Sequence, residues 1–115
     1  MNYIHHMTDS SGIQNLDLNL LKVFAAVDKF RHMTKAAEFL NLSQPAVSHA
    51  MSRLRLSLND QLFVKTPSQM VPTPLAKKLS LPIQEILEKI QSEVLQKIVL
   101  ILGKLRELLK FKRQI

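Results

Sequence analysis

A mainly α chain is predicted, with three short helices and a small hairpin followed by one long helix, and three observations predict it. Apolar residues recur at helical spacing in three consecutive segments, each opening on a side chain able to cap a helix: Asp17, Thr34 and Ser43. Two short strand-like stretches, residues 61–64, apolar after Gln61, and 71–72, flank a stretch of turn-forming residues. From Pro74 onward an apolar stripe persists for about eight helical turns.

The first helix is expected from Leu18 to about Phe30, capped by Asp17, with Leu20, Leu21, Phe24 and Val27 as its core face. Arg31, His32 and Met33 connect it to a second helix capped by Thr34. There Ala36, Ala37, Phe39 and Leu40 supply small and apolar residues for a close crossing. Asn41, Leu42 and Ser43 form a break. Ser43 then caps the third helix, and Pro45 sits in its first turn, where the missing N–H costs nothing. Val47, Ala50, Leu54 and Leu58 fall at i, i+3, i+7 and i+11, one buried stripe that Met51 widens. Two helices joined by so tight a turn form a helix-turn-helix. Ser48, His49, Ser52, Arg53 and Arg55 remain for solvent or DNA. Arg53 and Arg55 stand about 200° apart around a helix, so only one can face a groove, and Arg53 lies nearer to His49 and Ser52.

Residues 61–64 read as a strand with Val71 and Pro72 as its partner, and residues 65–70 as the hairpin loop. Three helices and such a hairpin make a winged helix-turn-helix. Thr73 and Pro74 are an N-cap and a first-turn proline, so a long helix begins there. Along it Leu79, Ile83, Ile86, Leu87, Ile90 and Val94 keep one stripe that continues through Ile98, Ile101, Leu105 and Leu108. Several members are eleven residues apart, about 3.67 per turn, which favours a nearly straight pairing over a heptad coil. Helical to Lys110, it would measure about 55 Å at roughly 1.5 Å per residue, more than a small domain can cover. The stripe therefore calls for a partner, and Pro82 and Gly103 are the expected weak points. The organisation expected is a disordered leader at 1–15, a winged domain at 16–73, and a linker and dimerisation helix with a basic tail at 74–115.

Charge supports an anionic partner without locating it. The net charge is +7, but residues 1–73 carry seven Lys/Arg against five Asp/Glu, whereas residues 74–115 carry nine against four. Most of the basic excess therefore lies outside the helix-turn-helix. No cysteine is present, which excludes thiol redox chemistry and Cys-based zinc sites. His5 and His6 are adjacent rather than at ligand spacing, so no metal is expected. Serines near His49 have no acid partner in view and indicate no hydrolase, so neither an enzyme nor a cofactor is expected. The longest strictly apolar run, residues 98–102, is five residues, against the roughly 18 that span a bilayer. A soluble, cytoplasmic, nucleoid-associated protein is the expectation. The basic tail, with Lys104, Arg106, Lys110, Lys112 and Arg113, reads first as a solvated helix face, with an added phosphate contact or a membrane-surface helix as alternatives; membrane contact is not the expectation.

The assembled residues resemble the DNA-binding domain of LysR-type transcriptional regulators. They are Leu21, Phe24, Ala36, Ala37, Leu40, the run Ser43-Gln-Pro-Ala-Val-Ser48, Arg53, Leu54, Leu62, Phe63, Pro72, Thr73, Pro74 and Ala76. The match covers roughly residues 16–97, and Asn59-Asp-Gln-Leu-Phe63 with Val71-Pro-Thr-Pro74 is most similar to the group containing the nodulation regulators. The resemblance implies a homodimer with antiparallel linker helices, pairing through Leu79, Ile83, Ile86, Leu87, Ile90 and Val94, and two recognition helices in successive major grooves of double-stranded DNA. It implies base contacts from Gln44, Pro45, Ser48 and His49, backbone contacts from Thr34, Ser43, Ser52 and Arg53, and a wing beginning at Lys65. Glutamine suits adenine, serine donates or accepts, and proline can touch a thymine methyl. Lys35 and Arg53 would supply phosphate attraction. Nothing after Lys97 resembles the start of the family's effector-binding domain. The chain therefore reads as a regulator without ligand sensing, with no small-molecule effector expected. The alternative is an interaction protein that heterodimerises through its linker helix with a full-length regulator and inhibits it.

Overall fold

The computed structural model describes residues 17–114. In order, the elements are α1 (Leu18–Phe30), α2 (Met33–Leu40), α3 (Gln44–Leu58), β1 (Phe63–Lys65), β2 (Met70–Pro72), α4 (Pro74–Lys89), a π-helical segment (Ile90–Leu95) and α5 (Gln96–Gln114). The mainly α, winged architecture matches the expectation, whereas the leader expected over residues 1–15 lies outside the described residues. Two compact units divide the chain, Met1–Lys77 and Lys78–Ile115.

Local chemistry explains where the helices of the first unit begin and end. Asp17 caps α1, its Oδ1 accepting the Asn19 N–H at 2.9 Å, and Ser43 caps α3, its Oγ accepting the Ala46 N–H at 3.2 Å. The expected cap of α2 is corrected: His32, not Thr34, is the N-cap, with Nδ1 accepting the Lys35 N–H at 3.3 Å. His32 has extended backbone, whereas Thr34 already lies inside the first turn. Each of the three helices ends on a left-handed residue, Arg31 (φ 52°), Asn41 (φ 57°) and Asn59 (φ 50°). Asparagine tolerates that conformation well. At Asn41 the Leu42 N–H reaches back to the Ala37 carbonyl at 3.0 Å and the Asn41 N–H to the Glu38 carbonyl at 3.1 Å. This Schellman closure makes the turn between α2 and α3 only three residues long.

The core of this unit joins all three helices to the wing. Val23, Phe24, Ala26 and Val27 of α1, Ala36 and Ala37 of α2, and Val47, Met51 and Leu54 of α3 are buried, as are Leu62, Phe63, Met70 and Ala76. The Phe24 and Phe63 rings lie 5.3 Å apart and tilted by 49°, which locks α1 to β1. Two expectations shift by one helical position: Val23 and Ala26 are buried where Leu20 and Leu21 are partly exposed, and Met51 takes a central place beside partly exposed Ala50. Phe39 is not in the core. It is exposed against the Phe30 ring at 5.2 Å, with the Lys29 ammonium 4.9 Å from its centroid.

The hairpin is antiparallel, pairing Phe63 with Pro72, Val64 with Val71 and Lys65 with Met70. Its entry is a γ-turn centred on Leu62 (φ 63°), closed by the Phe63 N–H on the Gln61 carbonyl at 2.7 Å. A leucine is unfavourable in that conformation. It is held by a fully buried side chain, by its own N–H on Asp60 Oδ2 at 2.8 Å, and by its carbonyl accepting from the Thr73 N–H at 2.8 Å. Asp60 Oδ2 also accepts the Thr73 hydroxyl at 2.6 Å, and Thr73 Oγ1 accepts the Ala76 N–H at 3.2 Å. The carboxylate thus ties the wing's entry to the first turn of α4.

In the second unit the helix runs α-helically through both expected weak points, Pro82 and Gly103. The irregularity falls instead at the π-helical segment. There the Ser92 hydroxyl donates to the Glu88 carbonyl at 2.9 Å. The wider turn changes the phase of the apolar stripe, so its eleven-residue spacing does not continue as one straight seam.

Met51→Ala is expected to lower unfolding free energy by about 2–5 kcal/mol, because it leaves a cavity in the core shared by the three helices and the wing. Leu56→Ala, at a residue 84% exposed, is expected to shift it by less than about 0.5 kcal/mol. Urea titration followed by circular dichroism distinguishes the two.

Candidate nucleic-acid interface

Burial of one side of α3 dictates what the other side presents. At about 100° per residue, His49 lies roughly opposite the midpoint of Val47 and Met51, with Pro45, Ser52 and Arg53 on the same outer side. All four are exposed. Ser48 flanks this side and is exposed as well, and Gln44, nearer the azimuth of Met51, is exposed as the first residue of the helix. No large apolar side chain interrupts the strip before Leu56. The result is a polar face of short side chains on a helix whose opposite face is immobilised.

The structure brings several expected site residues together. Thr34 Oγ1 donates to Gln44 Oε1 at 3.3 Å, joining the first turn of α2 to the first residue of α3. Ser43 uses its Oγ as the helix cap. The Ser52 hydroxyl donates to the Ser48 carbonyl at 3.0 Å, so its proton is engaged within the helix and its oxygen is left as an acceptor. Lys35 is exposed in the first turn of α2, and Lys65 is exposed at the end of β1. Beyond Lys65 the turn is closed by Thr66 and Gln69: the Thr66 hydroxyl donates to the Gln69 carbonyl, and the Thr66 N–H donates to the same carbonyl at 2.9 Å.

The two arginines of α3 separate as their spacing requires. Arg55 is a strut, its Nε donating to the Gln61 carbonyl at 2.9 Å and an Nη to the Phe63 carbonyl at 3.5 Å. It binds the helix to the wing's entry. Arg53 instead reaches the start of α1, with Nη1 3.4 Å from Asp17 Oδ2 and half of its side chain exposed. Neither the strut nor this pair was foreseen from the sequence, because each joins residues whose proximity depends on the packed fold.

The residues expected to pair linker helices differ in accessibility. Ile83 is 6% exposed, Leu79, Leu87 and Ile90 are half-buried, and Ile86 and Val94 are exposed at 45% and 50%. Along α5, Ile98, Ile101, Leu105 and Leu108 are all exposed. Among the described residues no group of three or more His, Cys, Asp or Glu could hold a metal ion, and no helix is long and apolar enough to cross a membrane.

Three helices closed by a two-stranded wing, with the third presenting its polar face outward, define a winged helix-turn-helix protein. The model of bacterial regulatory helix-turn-helix proteins of the lysR family matches residues 18–77, more than half of the 115 residues, and the chain belongs to that family. It is 44% identical over 84 residues to nodulation protein D 1 of Bradyrhizobium diazoefficiens, covering 73% of this chain and 27% of that protein. A probable transcriptional regulator of Pseudomonas aeruginosa superposes with a TM-score of 0.67 at 39% identity, covering 69% of this chain and 26% of that one. The CbnR DBD–DNA complex gives a TM-score of 0.59 at 27% identity over 64% of this chain and 84% of that one. The chain spans about a quarter of the length of the curated relatives it matches.

Arg55→Ala is expected to lower stability by about 1 kcal/mol through loss of the bonds to the Gln61 and Phe63 carbonyls. Arg53→Ala, losing only an exposed ion pair, is expected to change it by less than about 0.5 kcal/mol. Thermal unfolding of both variants checks the division of labour.

Proposed function

We propose that the chain binds double-stranded DNA sequence-specifically as a homodimer and acts in transcription, with α3 in the major groove. The observation that carries this reading is the exposed face of α3, where Gln44, Pro45, Ser48 and His49 stand free of apolar load on a helix anchored by Val47, Met51 and Leu54. A major groove about 12 Å wide admits one helix, and these side chains suit its donor and acceptor patterns. The similarity to a DBD–DNA complex supports the placement. Thr34, Ser43 and Ser52 would border the phosphate backbone, while Lys35, Arg53 and Lys65 carry the positive charge that attracts it.

Dimerisation through α4 is supported by the apolar side chains it leaves at the surface, Leu81 and Ile86, with Val94 also exposed in the π-helical segment. A second reading uses the same face: a longer relative's linker helix would pair with it to give a mixed, inactive dimer. Co-purification of such a relative with this chain would favour that reading over the homodimer.

Selection of bound sequences from random DNA at two salt concentrations tests the main proposal. Gln44→Ala and Ser48→Ala are expected to relax preference at individual base positions by about 1–3 kcal/mol each; unchanged preference in both variants would remove the base-contact assignment. Lys35→Ala and Arg53→Ala are expected to weaken binding to every sequence and to reduce the salt slope by about 1. Ile86→Glu together with Val94→Glu is expected to give a monomer in sedimentation equilibrium, since two charges would have to be desolvated in a paired interface.

A further inference from the structure

We infer that Asp17 restrains Arg53: its carboxylate competes with DNA phosphate for the guanidinium, so that residue 17 sets the strength of sequence-independent attraction to DNA. The inference rests on the phosphate-attracting role proposed above for Arg53. Arg53 Nη1 lies 3.4 Å from Asp17 Oδ2, a single long contact rather than a two-pronged one. The Arg53 side chain is 51% exposed and that of Asp17 33%, so an incoming phosphate can reach the same guanidinium. The carboxylate is tethered in place. Its Oδ1 is held by the Asn19 N–H at 2.9 Å, and the residue's carbonyl accepts the Leu20 N–H at 3.0 Å, both part of the cap that starts α1.

A fixed negative charge therefore stays beside the exposed face of α3 whether or not Arg53 leaves it. It holds part of the guanidinium's bonding capacity, which an approaching phosphate must win from it. The other arginines of this unit are committed elsewhere, Arg31 to Asp28 at 3.1 Å and Arg55 to the wing's entry. Arg53 is thus the arginine of α3 whose engagement can change. Because phosphates carry no sequence information directly, the restraint acts alike on every DNA and leaves the contacts of Gln44 and Ser48 to determine preference. Asp17 is a positioning residue in this account, acting through Arg53.

The test uses the full 115-residue chain, a short mixed-sequence DNA duplex, and the variants Asp17→Asn, Arg53→Ala and their double mutant, each titrated at several salt concentrations. Asparagine caps helices about as well as aspartate, so Asp17→Asn removes the charge and keeps the cap. An unchanged melting temperature would verify this. The expected result is roughly two- to fivefold tighter binding by Asp17→Asn with a steeper salt dependence, and no such gain when Arg53 is alanine. Equal or weaker binding by Asp17→Asn, or the same gain without Arg53, would overturn the inference. Arg53→Ala alone separates the two layers. If it leaves the salt slope unchanged, the phosphate role and the inference fall together; if it flattens the slope while Asp17→Asn changes nothing, the inference alone falls.

Discussion

Burial of Val47, Met51 and Leu54 along one face of α3 is the constraint from which the rest of the first unit follows. Val47 and Met51 are completely buried in a domain whose core is only about a dozen side chains. Small domains have little apolar area to spare. Rotating α3 to expose these residues would remove much of the free energy that holds the fold. The orientation of the helix is therefore set by its inner face, and the outer face of Pro45, His49, Ser52 and Arg53 is presented as a geometric consequence. Ala36 and Ala37 make the arrangement possible from the other side, since their small side chains let α2 cross closely over the same core.

A second layer of order is polar and concerns backbone that no regular element satisfies. Asp60 secures the Leu62 γ-turn and the Thr73 cap with one carboxylate oxygen, and Arg55 covers the carbonyls of Gln61 and Phe63. The Met70 N–H reaches the Arg31 carbonyl at 3.0 Å, joining β2 to the turn after α1. Unsatisfied backbone groups near a core are costly, and these side chains remove that cost where the chain changes direction. A strained leucine at the root of the wing is consistent with this network: several bonds and a buried side chain act on one residue. The outer face of α3, by contrast, is polar and exposed, with Arg53 as its one arginine.

Features that depend on neighbours in sequence were legible before the fold was known. Asp17, Ser43 and Thr73 cap helices as their positions indicate, because capping joins a side chain to an N–H two or three residues away. The three-residue turn at Asn41, the hairpin and the polar face of α3 were legible for the same reason. His32 was missed because Thr34, two residues on, is the stronger capping type, yet the left-handed Arg31 places His32 at the helix start. The π-helical segment was missed because it contains neither proline nor glycine, the conspicuous breakers.

Periodicity and capping chemistry determined, from the sequence alone, that the chain would be three short helices, a wing and a long amphipathic helix, with the outer residues of α3 as the candidate reading surface. Those signals are local, and they repeat at the period of the helix itself. Tertiary packing alone decided that Arg55 braces the wing while Arg53 meets Asp17, 36 residues away in the chain. Spacing could say that the two arginines point apart. Which one found a carbonyl and which a carboxylate depended on where the core had placed the ends of α1 and β1.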